Sequence, residues 1–414
     1  MLKRALCNRV FIVFFSIILV ACGADNNRRA PNVFTEKPAL TPQKQVPISK
    51  IKPIKKSYNV ALVLPTKYND PNNRVRTNAI LNAARNMVNA ADMARRELRE
   101  QKLKFAVYET DGTAETLVPA IKQAITNNVD IILGPLRSEA VQIAKGMTEQ
   151  AGIPMIAFSS DSMAVNNAKM TFLLSYLIEQ NISEIVAYAA SEGHMRFGFY
   201  GGDTQYTRRA NKIFAEEVKA NRGYITNSVI VNANAPDYFI KTKEFTERAT
   251  SDGDVGETSY SAFLLTDNAR SLMQIIPRLD KLGMSFDKQL VMGTSIWQDE
   301  NILMIKELNR AVFAAPDFNR VKIFEERYMA KYGGKPLPIA SLAYDAVAMI
   351  VALVRNHKTD PFNIRYITTP NGFNGVGGIF RFRKNGLSER GLAIVQINDG
   401  AFEIIEPAPK SFYK

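Results

Sequence analysis

Residues 130–158 read Asp130-Ile131-Ile132-Leu133-Gly134-Pro135-Leu136-Arg137-Ser138, continue to Ala151, and end in Gly152-Ile153-Pro154-Met155-Ile156-Ala157-Phe158. The apolar run from Asp130 to Leu133 is short and closed by Gly134-Pro135. It reads as a strand with no polar face. Arg137 to Ala151 reads as a helix, and Pro154 to Phe158 is a second short apolar run. Strand, helix and strand in this succession predict a parallel pair joined by a crossover helix.

Upstream the same unit recurs. Asn59 to Leu64 reads as a buried strand stopped by Pro65. Thr77 to Gln101 repeats apolar residues at helical spacing, including Ile80, Ala84, Met87, Ala91, Ala94 and Leu98. Lys104 to Glu109 is a strand, Asp111-Gly112 a turn, and Thr113 to Asn127 a helix. These units together predict a parallel sheet with helices on both faces. Downstream the rhythm resumes, with strands at 196–200, 228–231, 262–265 and 290–293 and helices at 182–192, 204–221, 238–251 and 269–282. That is a second parallel sheet. Residues 251–259 read as an exposed loop. Two further helices, 318–332 and 339–356, precede antiparallel strands at 378–382, 392–397 and 402–405, turned by Asn385-Gly386 and Asp399-Gly400. The fold class is α/β.

The composition fits a folded chain of two or three domains: 414 residues, 46% hydrophobic and 22% charged. With two Cys and two His, a zinc cluster or iron–sulfur centre has too few ligands. Neither His-x-x-x-His spacing nor a Gly-x-Ser-x-Gly elbow nor a Gly-x-x-x-x-Gly-Lys phosphate loop occurs. No catalytic residue, metal or cofactor is expected, and the chain reads as a non-enzyme.

The N-terminus reads as a targeting segment. Lys3, Arg4 and Arg9 precede the apolar run Val10 to Val20, which is short for a membrane span. Leu19-Val20-Ala21-Cys22-Gly23 resembles a bacterial lipobox, in which Cys22 is acylated and begins the mature chain. Residues 1–21 are then a signal peptide, and Gly23 at the sorting position favours the outer membrane of a Gram-negative bacterium. The formal net charge is +13, but residues 24–57 hold eight Lys/Arg, two acids and five prolines. The basic charge sits in this tether (22–57) and not in the body, which argues against nucleic acid as a partner. The tether reads as an extended spacer, solvated or drawn to anionic headgroups or wall polymer.

The body resembles the type I periplasmic binding proteins, in particular the leucine/isoleucine/valine-binding group. The resemblance is carried, in order, by Val60 to Pro65, Ile131 to Ser138, Ala151 to Ser160, Phe324 to Tyr328, Leu342 to Val347 and Phe373 to Phe382. Within that family the chain looks most like the penicillin-binding-protein activator lipoproteins. The resemblance implies two doubly wound parallel-sheet lobes joined by a hinge, the first from 58–175 plus 312–356, the second from 176–311 plus 357–414. It implies a periplasmic, lipid-anchored module. The sorting residue Gly23 and the absence of an ammonium-binding acid at 293–298 favour a non-enzymatic regulator of cell-wall synthesis whose partner is a cell-wall synthase; the alternative is the substrate-binding lipoprotein of an ABC permease, for an amino acid or related small polar ligand.

In such sheets ligands sit beyond the carboxyl ends of the strands. That places candidates at Ser138 after one strand and at Ser159, Ser160, Asp161 and Ser162 after the next. In the family's amino-acid binders, hydroxyls and amides there take the ligand carboxylate; Ser138 and Ser162 as helix caps is the plainer reading. Tyr206 falls where the family lays a Tyr over the ligand. Asp267 and Thr294 occupy the next two loops. The stretch Gly293 to Gln298 lacks the acid that usually holds a ligand ammonium, and Asp267 or Asp161 is left to supply it. Trp297, the only Trp, reads as either a cleft or a core aromatic.

Overall fold

A computed structural model describes residues 54–249 and 259–413. The lipobox with Cys22, the tether as far as residue 53, and most of the loop expected at 251–259 lie outside the described residues.

The first apolar run forms β1 (Tyr58–Leu64), whose side chains divide with the period of two. Val60, Leu62 and Leu64 enter one core cluster, and Ala61 and Val63 enter the other. A strand that feeds cores on both faces is interior to its sheet. It pairs in parallel with β2 (Leu103–Glu109) and β3 (Ile131–Leu133), and β4 (Met155–Ala157) and β5 (Thr171–Leu173) extend the sheet to the order β2-β1-β3-β4-β5. Helix α1 (Arg74–Leu98) starts at Asn73, whose side chain accepts from Arg76 N–H, and covers one face. Helices α2 (Ala114–Thr126) and α3 (Ser138–Gln150) cover the other.

The second sheet is built from β6 (Arg196–Gly202), β7 (Tyr224–Val231), β8 (Ala262–Leu265), β9 (Leu290–Gly293) and β10 (Val312–Ala315), all parallel. Its faces carry α4 (Ile178–Ser191) with α5 (Gln205–Ala220), and α6 (Tyr238–Glu247) with α7 (Ala269–Lys281). Helices α8 (Phe318–Tyr332) and α9 (Ala340–Asn356) return to the first sheet and pack beside α1. A small antiparallel sheet follows, from β11 (Phe373–Gly375), β12 (Gly378–Phe382) and β13 (Ser388–Arg390). Finally β14 (Ala393–Asn398) and β15 (Ala401–Glu406) close the edge of the second sheet, β14 running antiparallel to β10.

The chain therefore passes between the two lobes three times, at 174–177, 316–317 and 391–392. Two boundaries differ from the expected ones. The apolar run Val312–Ala315, expected in the first lobe, is a strand of the second sheet, because its ladder partners are Gly293 and the residues from Ala393 to Gln396. The region from 357 to 390, expected in the second lobe, packs with the first: Phe362, Ile367, Phe380 and Phe382 share a core with β1 and α9.

The third crossing is fastened by a buried ion pair. Arg390 Nη2 donates to Asp345 Oδ2 at 2.9 Å, and Asp345 Oδ1 accepts from the Val376 amide at 2.6 Å. Neither residue reaches solvent appreciably. The guanidinium also lies over the Tyr176 ring at 4.8 Å, and Tyr176 OH is 2.8 Å from Ser341 Oγ. This contact ties the first crossing to the third.

Candidate functional site

Reversal of strand order between β1 and β3 opens a crevice at their carboxyl ends. The second lobe closes it into a cleft of about 770 Å³. Ser138, Glu139 and Gln142 of α3, with Ser160 and Asp161 after β4, form one wall. Opposite stand Gln205, Tyr206 and Arg209 of α5, with Ser295 and Ile296 after β9. Tyr176 of the first crossing and Ile178 at the start of α4 line it as well.

The first wall depends on Gly134. Its φ is +106°, and a Cβ there would lie 2.0 Å from Val63 O. Only glycine lets the chain leave β3 so close to β1. Helix α3 then begins at Ser138 with Arg137 as its cap, and no side chain fills the cap. Ser138 is thus the first helical residue and its hydroxyl caps nothing. Neither its hydroxyl nor that of Ser160 has a hydrogen-bond partner among the described residues. Beneath them Ser159 is buried, its Oγ accepting from the Asp161 amide at 3.1 Å. The Asp161 carboxylate accepts from Met163 N–H at 3.1 Å, so Asp161, and not Ser162, caps that turn.

On the second wall Thr204 caps α5 through Thr207 N–H at 3.0 Å and fixes its first turn at the cleft. Tyr206 OH lies 2.8 Å from Thr294 Oγ1. Burial pushes the Tyr206 phenol up, against the smaller opposing pulls of Thr294 and Arg209, so it enters the cleft as a neutral ring. Thr294 itself is fully buried and acts on the cleft only through Tyr206. Asp267 stands behind the wall: it is 9% exposed and its Oδ2 accepts from the Gly202 amide at 3.0 Å. Burial pushes its carboxyl up, with the Gly202 hydrogen bond opposing. It does not line the cleft. Trp297 is a core residue, fully buried against Phe313, with Nε1–H donating to Asp267 O at 3.0 Å. Residues 67–74, which follow β1, do not line the cleft either; Tyr68 lies against Arg137, whose Cζ is 5.3 Å from the ring centroid.

Arg209, which the sequence reading left out, lines the second wall, and Glu179, also left out, pairs with it from outside the lining. Arg209 Nη2 donates to Ser162 Oγ at 2.9 Å and to the Glu179 carboxylate, and Arg209 Nη1 stands 3.5 Å from Asp161 Oδ1. Ser162 Oγ in turn donates to Glu179 Oε1 at 2.8 Å. Arg209 lies three residues beyond Tyr206 and four beyond Gln205, so helical spacing places it on the same face. Glu179 stands in the first turn of α4, just past the first crossing. No group of three or more His, Cys, Asp or Glu among the described residues could hold a metal ion.

A model of the periplasmic binding protein family matches residues 78–401. Among curated proteins there is no match. Of solved structures, a Rhodospirillum rubrum protein provisionally assigned as a branched-chain amino acid ABC transporter is similar at 15% identity with a TM-score of 0.72, over 84% of this chain and all of that one. An ABC transporter substrate-binding protein from Sphaerobacter thermophilus is similar at 14% identity with a TM-score of 0.63, over 85% of this chain and 97% of that one. An isoleucine-bound branched-chain amino acid transporter substrate-binding protein from Streptococcus pneumoniae is similar at 15% identity with a TM-score of 0.54, over 85% and 100%. At these identities the likeness is one of fold.

Proposed function

This chain belongs to the periplasmic binding protein family, and we propose that it is a substrate-binding component of an ABC transporter, closing its lobes on an amino acid or related small polar metabolite. One observation carries the reading. Hydroxyls of Ser138 and Ser160, without partners among the described residues, stand with the N-terminus of α3 on one wall of the cleft, facing the Tyr206 wall across it. A helix N-terminus with free hydroxyls beside it attracts a carboxylate. Ser159 holds the Asp161 amide, Ser162 holds Glu179 and Arg209, and Thr294 holds Tyr206, while Asp161 stands beside Ser160 as a cleft acid. Family membership supports a periplasmic location, and the lipobox at Cys22 supplies the proposed anchor.

A role as a non-enzymatic regulator of cell-wall synthesis, like the penicillin-binding-protein activators, ranks second. It rests on Gly23 after the lipobox, whereas the solved relatives named above are described as transport components. Mass spectrometry of small molecules released by denaturing the chain purified from its native membranes tests the choice. A transport receptor carries one polar metabolite near stoichiometry, and Ser138→Ala/Ser160→Ala loses it. Equal yields of every metabolite from the wild type and the variant would contradict the proposal.

A further inference from the structure

The two walls of the cleft offer the same kind of chemistry. Ser138, Ser160 and the α3 N-terminus favour an anionic oxygen group on the first. Arg209 presents a guanidinium on the second. Its two terminal nitrogens are held differently. Nη2 donates to Ser162 and Glu179, whereas Nη1 stands at a loose 3.5 Å from Asp161. A charge-assisted N–H···O bond is normally shorter, about 2.7–2.9 Å, so Nη1 is positioned but weakly satisfied. Asp161 can release it without being stranded. Its carboxylate keeps the Met163 amide at 3.1 Å, and its side chain is 38% exposed to water. The other acid in the cleft, Glu139, is already answered by Arg137 at 3.3 Å.

We infer that the cleft takes a small dicarboxylate, one carboxylate on Ser138, Ser160 and the α3 amides, the other replacing Asp161 on Arg209 Nη1. The inference rests on the proposed receptor function and specifies its ligand class. Asp161 acts as an internal stand-in for the second carboxylate, holding Arg209 in place when that group is absent. Leucine, with an apolar end and an ammonium, matches neither wall as well: most of the lining is polar, and the Ser138 and Ser160 hydroxyls and the Arg209 Nη1 edge, loosely met by Asp161, all offer donors.

Calorimetric titration of the full chain with glutarate, succinate and leucine tests this. Glutarate or succinate is expected to bind at least about tenfold more tightly than leucine. Arg209→Met should weaken that dicarboxylate by about 10- to 100-fold, the loss of one hydrogen bond to a charged group, and Arg209→Lys should restore part of it. Because Arg209 also holds Glu179, Asp161→Asn is the cleaner arm. It keeps the turn cap, removes the competing charge, and should tighten dicarboxylate binding several-fold. Binding of a dicarboxylate that is unchanged in Arg209→Met, or weakened in Asp161→Asn, would overturn the inference. So would a preference for leucine; if that leucine binding needed Ser160 and Tyr206 but not Arg209, the receptor function would stand and only the ligand class would fall. Failure of all three probes to bind the wild type would overturn the dicarboxylate assignment, with the released-metabolite experiment then deciding the receptor function separately.

Discussion

At Gly134 one residue decides whether the first wall of the cleft exists. With φ at +106° and Val63 O in the way of any Cβ, Gly134→Ala should lower stability by about 1–3 kcal/mol from backbone strain alone. Urea denaturation measures it; an unchanged midpoint would contradict the close approach. Asp267 makes a pH prediction. Burial raises its folded carboxyl above the unfolded value, so its favourable share of stability is present in acid and lost as pH rises through the folded value. Asn at 267 keeps the acceptor for the Gly202 amide and carries no charge. The stability of Asp267→Asn relative to wild type should therefore grow from acid pH toward neutral and then level off, as thermal melts across pH would record. Parallel pH curves for the two proteins would refute it. Ser138, Ser160 and Tyr206 were legible in the sequence because strand ends locate them. Arg209 and Glu179 were not, since a pair 30 residues apart on two neighbouring helices leaves no period. Asp267 was legible as a loop acid, but the turn of its carboxylate toward Gly202 was not.

At the scale of elements, the strands of the two sheets were readable because a parallel strand buried on both faces is a plain apolar run. Thr171–Leu173 and Ser388–Arg390 were missed: the first follows β4 after only the short turn at Ser162–Val165, with no crossover helix to mark it, and the second carries no apolar residue. The strand at 312–315 was also missed and its residues were expected in the first lobe; its antiparallel partner begins some 80 residues later at Ala393, and only tertiary pairing assigns it to the second sheet. The small sheet brings Arg390 to Asp345, and this pair holds two crossings together. Asp345→Ala leaves a buried guanidinium unpaired and should cost about 3–5 kcal/mol in equilibrium unfolding. Asp345→Leu combined with Arg390→Met should recover most of that loss. A small effect for the single variant would show that the pair does not fasten the hinge.

For the whole molecule, anchoring and ligand capture are separable. Cys22→Ala should move the protein from the membrane fraction to the soluble one, and unaltered fractionation would refute the lipobox. The central claim is that the two walls grip one small polar ligand between them. Ligand bound only to the folded state stabilises it by about 2.7 kcal/mol at a hundredfold excess over Kd, enough to raise the melting temperature of a chain this size by at least a degree or two. The most direct measurement is the melting temperature of the wild type and of Ser160→Ala/Tyr206→Ala against a panel of amino acids and small dicarboxylates. A clear rise is expected with at least one compound, little or none with leucine, isoleucine or valine, and the rise should be lost in the double variant. A rise that survives in the double variant, or no rise with any compound, would contradict the central claim.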